Sequence, residues 1–140
     1  MDNELLKGRT IFVVEDNVAN MAVFATSLQK YGARVHQDPW NNNTITLLKE
    51  RLPVDLILMD ILLRGGVTGY EIFDEIQRHP ELQAIPVIAV STLDAETEIP
   101  KLREKGFAGF ISKPVSIYTL PKLILECLEG GEVWDRGRGY

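Results

Sequence analysis

The strongest constraint on this chain is a hydrophobic period that passes five times from strand-like to helix-like spacing. Thr10-Ile11-Phe12-Val13-Val14 is a short β-branched run of the kind buried on both faces of a sheet. Val18, Met21, Ala22, Ala25 and Leu28 follow at helical spacing, with Asn17 as the expected cap and Gly32 as the stop. Ala33 to His36 reads as a second strand. Asn42 or Asn43 is the expected cap of a helix carrying Ile45, Leu48 and Leu52, which Pro53 ends. Val54 to Met59 is the strongest strand signal, followed by a Gly-containing loop from Leu63 to Gly69 and a helix marked by Ile72, Phe73 and Ile76. Pro86 to Val90 is a fourth strand, with proline at its first residue, where the missing N–H is tolerated. Asp94 is the expected cap of the next helix. Phe107 to Ser112 is a fifth strand, and Leu120, Leu123, Ile124, Cys127 and Leu128 form the cleanest amphipathic helix, ended by Gly130-Gly131.

Five β-then-α units with short links predict an α/β fold, a parallel sheet of five strands with helices on both faces. At 140 residues, 45% apolar and 25% charged, the chain has the size and composition of one folded domain with an adequate core. A single cysteine, Cys127, excludes an internal disulfide framework or a cysteine zinc site, and its helical spacing places it in the core. A net charge of −5 argues against a nucleic-acid surface. No apolar run approaches the ~18 residues of a membrane span and Met1-Asp2-Asn3-Glu4 does not open a signal peptide, so no membrane association and a cytoplasmic location are expected.

In such sheets the ligand site lies beyond the carboxyl ends of the strands. Glu15 and Asp16 follow the first strand, Asp60 ends the third, Ser91-Thr92 the fourth and Lys113-Pro114 the fifth. Parallel strands bring all of these to one crevice. Like charges 4 Å apart repel by about 4 kcal/mol at an effective dielectric of ~20, so three clustered carboxylates need a counter-charge. A divalent cation supplies it: Mg²⁺ takes oxygen ligands and commonly pairs one or two carboxylates with phosphate oxygens. With Lys113 adding positive charge, the set suits Mg²⁺ and a phosphoryl group.

The segments Val13-Val14-Glu15-Asp16-Asn17, Leu56-Ile57-Leu58-Met59-Asp60, Pro86-Val87-Ile88-Ala89-Val90-Ser91 and Phe110-Ile111-Ser112-Lys113-Pro114 together resemble the response-regulator receiver domain of two-component signalling. The resemblance covers about residues 8–129, and four motifs in order, each at a strand end, make it specific. It implies a flavodoxin-like (βα)5 fold with strand order 2-1-3-4-5. It also implies that Asp60 accepts a phosphoryl group from a phosphohistidine on a sensor histidine kinase or a histidine phosphotransfer protein. Glu15, Asp16, Asp60 and the backbone carbonyl of Leu62 would hold Mg²⁺, with Mn²⁺ as an alternative. Lys113 would contact the phosphoryl oxygens, Ser91 would bind them once the phosphate forms, and Phe110 would be the switch aromatic. Thr92 is a weaker candidate for a second hydrogen bond. The implied readout face is the fourth helix, fifth strand and fifth helix, with a downstream target protein or a second copy of the chain as partner.

The sequence departs from the family pattern in several places. Arg64 stands where many members carry proline, the Leu63–Gly69 loop is one residue longer than usual, and Thr92 replaces a common alanine. Leu62 and Leu93 are apolar at positions that influence autodephosphorylation, which predicts slow hydrolysis. Pro100 inside the fourth helix predicts a kinked, weakly held element. Residues 1–131 are read as the receiver domain and 132–140 as an aperiodic tail, whose Val133, Trp134 and Tyr140 predict packing on the domain or on a second copy. Two competing functions are a phosphate-independent scaffold and a phosphatase using Asp60 as nucleophile. The second lacks the usual acid two residues on, where Leu62 stands.

Overall fold

In a computed structural model of the protein, residues 3–40 and 43–135 are described. The elements run β1 (Thr10–Val14), α1 (Val18–Lys30), β2 (Arg34–Asp38), α2 (Thr44–Glu50), β3 (Leu56–Asp60), a 3-10 turn (Arg64–Gly66), α3 (Gly69–Gln77), β4 (Val87–Ser91), α4 (Ala95–Lys105), β5 (Gly109–Ser112), α5 (Leu120–Leu128) and β6 (Val133–Asp135). All strands are parallel, in the order β2-β1-β3-β4-β5-β6.

Period-two alternation divides the core between the two faces. Phe12, Ile57, Met59, Ala89 and Phe110 face Leu48 of α2, Ile72 and Phe73 of α3 and Ile99 and Leu102 of α4. Ile11, Val13, Leu58, Ile88 and Ile111 face Met21, Phe24 and Leu28 of α1 and Leu120, Ile124 and Cys127 of α5. β3 and β4 are buried along their whole length, which is why they read as unbroken apolar runs.

The helix starts are set by side chains. Asn17 Oδ1 accepts from Asn20 N at 2.9 Å, Asp94 caps α4 through Thr97 N, and Thr68 and Glu71 form a capping box on α3. Asn43 occupies the cap position of α2 without a side-chain bond there, and Asn42 lies outside the described residues. α4 is one helix through Pro100, although proline offers no N–H to its ladder. It is anchored by buried Ile99 and Leu102 and by a 2.6 Å bond from Tyr70 Oη to the buried Glu98.

Several sequence expectations change. α2 stops at Glu50, so Leu52, expected on that helix, lies exposed beyond it. β2 runs to Asp38 rather than His36, and the segment read as an aperiodic tail contains a sixth strand, β6, in register with β5. Tyr140 lies outside the described residues.

Candidate phosphoryl and metal site

The carboxyl ends of β1, β3 and β5 converge as the topology requires. Glu15, Asp16 and Asp60 offer carboxylate oxygens that all lie within 4.8 Å of one another. Glu15 is 1% exposed and Asp60 4%. Lys113 Nζ sits 3.0 Å from Glu15 Oε1 and 3.3 Å from Asp60 Oδ2, and its own side chain is only 13% exposed. The Lys113–Pro114 peptide is cis.

The backbone around Asp60 is fixed from two directions. Leu62 N donates to Asp60 Oδ1 at 3.1 Å, so it is the amide of Leu62 that the structure brings to this carboxylate. Gly69 opens α3 directly beneath the strand end, where a Cβ would come within 2.6 Å of the Asp60 carbonyl oxygen. Glycine is therefore required for α3 to approach the acid this closely. Glu15 Oε2 accepts from Asn17 N at 3.1 Å, which orients the second acid.

The electrostatics are unbalanced toward negative charge. Burial, and then the adjacent Glu15, push Asp60 up from its ordinary value of 3.8 to about 7; Lys113 opposes both without cancelling them. Two buried acids share one partly buried ammonium, so a further cation would relieve the site.

The other expected residues take distinct places. Ser91 is buried, and its Oγ accepts from Leu93 N at 3.0 Å, which engages the hydroxyl in a local turn rather than on Asp60. Thr92 is exposed, and its side chain has no hydrogen-bond partner among the described residues. Phe110 is completely buried in the core on the α2–α4 side.

Sequence reasoning named Arg64 only as a departure from the family pattern and missed Trp40 and Asp38. Arg64 N donates to Asp16 Oδ2 at 3.0 Å and its guanidinium Nε lies 3.6 Å from the same oxygen. Trp40, with a left-handed φ of 69°, donates its indole N–H to the Arg64 carbonyl at 3.0 Å. Asp38, fully buried at the end of β2, accepts from Thr44 Oγ1 at 2.5 Å and Trp40 N at 2.9 Å. Together they clasp the β2–α2 and β3–α3 loops over the Asp16 side of the crevice. Asp38 was findable by the strand-end rule had β2 been read two residues longer.

Residues 11–125 match the family model of the response regulator receiver domain. The chain belongs to that family. It is 32% identical over 120 residues to protein PilH of Pseudomonas aeruginosa, an alignment spanning 86% of this chain and 98% of PilH. It is 34% identical over 109 residues to the polar-differentiation response regulator DivK of Brucella ovis, covering 78% of this chain and 87% of DivK. Among solved structures, the chemotaxis protein CheY4 of Vibrio cholerae superposes with a TM-score of 0.77 at 18% identity, over 85% of this chain and 98% of that one. The likeness to CheY4 shows the shared fold. This receiver is thus a two-component signalling protein with the flavodoxin-like sheet, extended here by β6. Receivers of this family interact with histidine kinases or phosphotransfer proteins and bind Mg²⁺ in an acidic pocket, and the Glu15–Asp16–Asp60 cluster is the matching feature here. No helix among the described residues is long and apolar enough to cross a membrane.

Proposed function

We propose that Asp60 is the phosphoacceptor of this receiver and that its phosphorylation controls contact with a downstream protein. The observation that carries the reading is a buried carboxylate set 3.3 Å from a partly buried ammonium, with two further carboxylates within 4.8 Å. In the transfer, an Asp60 oxygen attacks the phosphorus of a phosphoimidazole. A P–O bond forms, the P–N bond breaks, and the departing imidazole nitrogen takes up a proton from solvent.

Phosphoryl transfer spreads negative charge over the equatorial oxygens, so the protein's contribution is position and positive charge. Lys113 supplies that charge from within the sheet. The donor set fits Mg²⁺: hard carboxylate oxygens in excess over the available cations. Asp16, Glu15, Asp60 and the carbonyl of Leu62 would hold the ion, which when bound would neutralise phosphoryl oxygens. After transfer, Ser91 would exchange its bond with Leu93 N for a charge-assisted bond to the phosphoryl group. Phe110 would then adjust within the core beside β4.

The donor protein must reach the crevice across its rim. Val23, Ile117 and Tyr118 are exposed there, around a cleft of about 400 Å³ between α1 and the loop after β5. Ser27 Oγ ties that loop to α1 through the Ile117 carbonyl at 2.7 Å. This apolar rim would receive a histidine kinase or phosphotransfer protein. Leu62 and Leu93 cannot orient a hydrolytic water, so the phosphoryl group should persist for minutes or longer; decay within seconds, followed by intact mass, would contradict this.

The deciding experiment is intact-mass spectrometry after incubation with acetyl phosphate and Mg²⁺. One phosphoryl adduct on the wild type, absent from Asp60→Asn, is the expected result. No adduct on the wild type would favour a phosphate-independent scaffold.

A further inference from the structure

The loop that follows Asp60 is closed by the start of α3. Gly69 N donates to the Ile61 carbonyl at 2.9 Å, and Leu62 and Thr68 pair across the loop as an antiparallel bridge. A Cβ on Gly69 would also meet Ile61 Cα at 3.0 Å, so the first residue of α3 rests on the backbone beside the acid. The position of that first turn therefore sets the conformation of residues 61–68. The capping box of Thr68 and Glu71 shapes the turn without tying it to another element.

Tyr70, the next residue, reaches out to α4. Its Oη donates to Glu98 Oε1 at 2.6 Å, and its ring stands edge-on to Phe107 with 5.9 Å between centroids. Phe107 is in turn stacked on Phe73 of α3 at 4.0 Å. One turn along α3, Asp74 accepts from Lys105 Nζ at 2.8 Å. Glu98 is buried, and its other oxygen faces Lys101 Nζ at 3.5 Å, on a side chain that is 59% exposed. A buried carboxylate with so loose a counter-ion depends on its hydrogen bond, because an ionised acceptor left unpaired carries its full desolvation cost. Burial and Glu98 both push the Tyr70 phenol above its ordinary range, so it remains a donor. A phenyl ring and an apolar side chain would pack here without that cost. What the polar pair adds is a fixed distance and direction.

We propose that the Tyr70–Glu98 bond is a positioning element of the phosphoryl site: it holds the first turn of α3, and through Gly69 the backbone from Asp60 to Leu62, in the geometry that receives the cation and the phosphoryl group. This rests on the assignment of Asp60 as phosphoacceptor. Neither side chain belongs to the carboxylate cluster. Both act through the loop, by removing the cost of ordering it when the ligands arrive.

The test compares Tyr70→Phe, which deletes one oxygen and keeps the ring on Phe107, with Glu98→Gln, whose amide oxygen still accepts from the phenol. In Tyr70→Phe, amide exchange at Leu62 and Gly69, followed by NMR in the metal-free protein, should rise about tenfold, while Leu28 in α1 stays unchanged. Mn²⁺ affinity, read by electron paramagnetic resonance of the free ion, should fall about threefold, and the rate of Asp60 labelling by acetyl phosphate with it. Glu98→Gln should keep most of the wild-type values. The double variant Tyr70→Phe/Glu98→Leu removes the unpaired buried charge, so it should regain the wild-type thermal midpoint without regaining Mn²⁺ affinity. A Tyr70→Phe protein with a lowered thermal midpoint but wild-type exchange at Leu62 and Gly69 and wild-type Mn²⁺ affinity would make the bond purely structural and overturn the proposal. So would a double variant that recovers Mn²⁺ affinity together with stability. A wild type that takes up no phosphoryl group would refute the acceptor assignment alone, since amide exchange still reads the loop.

Discussion

Lys113 and Arg64 are both cations set against carboxylates of the same crevice, and they differ in almost every physical respect. Lys113 follows β5, is 13% exposed and lies 3.0 and 3.3 Å from two buried acids. Arg64 rides on the loop after β3, its side chain is 69% exposed, and its guanidinium stands 3.6 Å from Asp16. Charge–charge energies in the low-dielectric interior are several times those at the surface, and surface pairs are further screened by salt. The lysine is therefore held tightly between two acids, whereas the arginine is an exposed counter-ion at a carboxylate that Mg²⁺ would also use under the proposed function.

The largest effect expected from this contrast is at Lys113. In Lys113→Ala, Glu15 and Asp60 face each other without the ammonium, and the developing phosphoryl charge loses its fixed partner. Removing one preorganised stabiliser of this kind costs about 10²–10³ in rate. The rate of Asp60 labelling by acetyl phosphate should fall by that factor, while Arg64→Ala should retain labelling within a few-fold. Similar losses for the two variants would erase the distinction.

Next in size is the pH response of the metal-free protein. Asp60 is raised from 3.8 to about 7 by burial and Glu15, so between these values the unfolded chain has released a proton that the folded chain retains. Stability contributed by this group is present below about pH 4, declines as pH rises toward about 7, and is constant above. Thermal midpoints measured in EDTA should fall by several degrees across that window in the wild type relative to Asp60→Asn. Parallel curves for the two proteins would show that Asp60 ionises normally.

The lysine side of this comparison was legible in the sequence and the arginine side was not, for a physical reason. β1, β3, β4 and β5 are buried runs ending in polar residues, so Glu15, Asp60 and Ser91, and Lys113 directly after Ser112, could be placed from topology alone. β2 is an edge strand with polar side chains, which hid its last two residues and with them Asp38. Arg64 was recognisable as a departure from the family pattern. Its contact with Asp16 depends on the conformation of a loop held by Trp40, and that conformation has no periodic signature. β6 was missed because three residues cannot display a period. Its clearest mark is the missing side chain at Gly109, which acquires meaning only once the neighbouring strand is known.

Arg64 gives the third effect. Its guanidinium opposes a divalent cation at Asp16, and an exposed pair of this kind is worth up to about 1 kcal/mol, or about fivefold. Arg64→Ala should tighten Mn²⁺ binding, read by electron paramagnetic resonance of the free ion, by up to that factor at low salt. The gain should shrink in 0.5 M NaCl. Weaker binding in the variant would make Arg64 a supporting residue instead of a competitor.

The smallest effect separates the side chain of Arg64 from its backbone. The Trp40 indole N–H donates to the Arg64 carbonyl, and Arg64 Nη2 in turn reaches the Pro39 carbonyl at 3.3 Å, so the indole positions the guanidinium through the loop backbone. Trp40→Phe removes one hydrogen bond, worth about 1 kcal/mol, and frees the loop. Released from the clasp, Arg64 spends less time at Asp16, and Mn²⁺ affinity should rise by less than threefold. In an Arg64→Ala background there is no guanidinium to position, so Trp40→Phe should leave Mn²⁺ affinity unchanged while still lowering the thermal midpoint. A double-mutant cycle reads this as coupling in metal affinity with additivity in stability. If Trp40→Phe alters metal affinity equally in both backgrounds, the clasp acts on Asp16 through the Arg64 amide, and the contrast between the two cations reduces to burial alone.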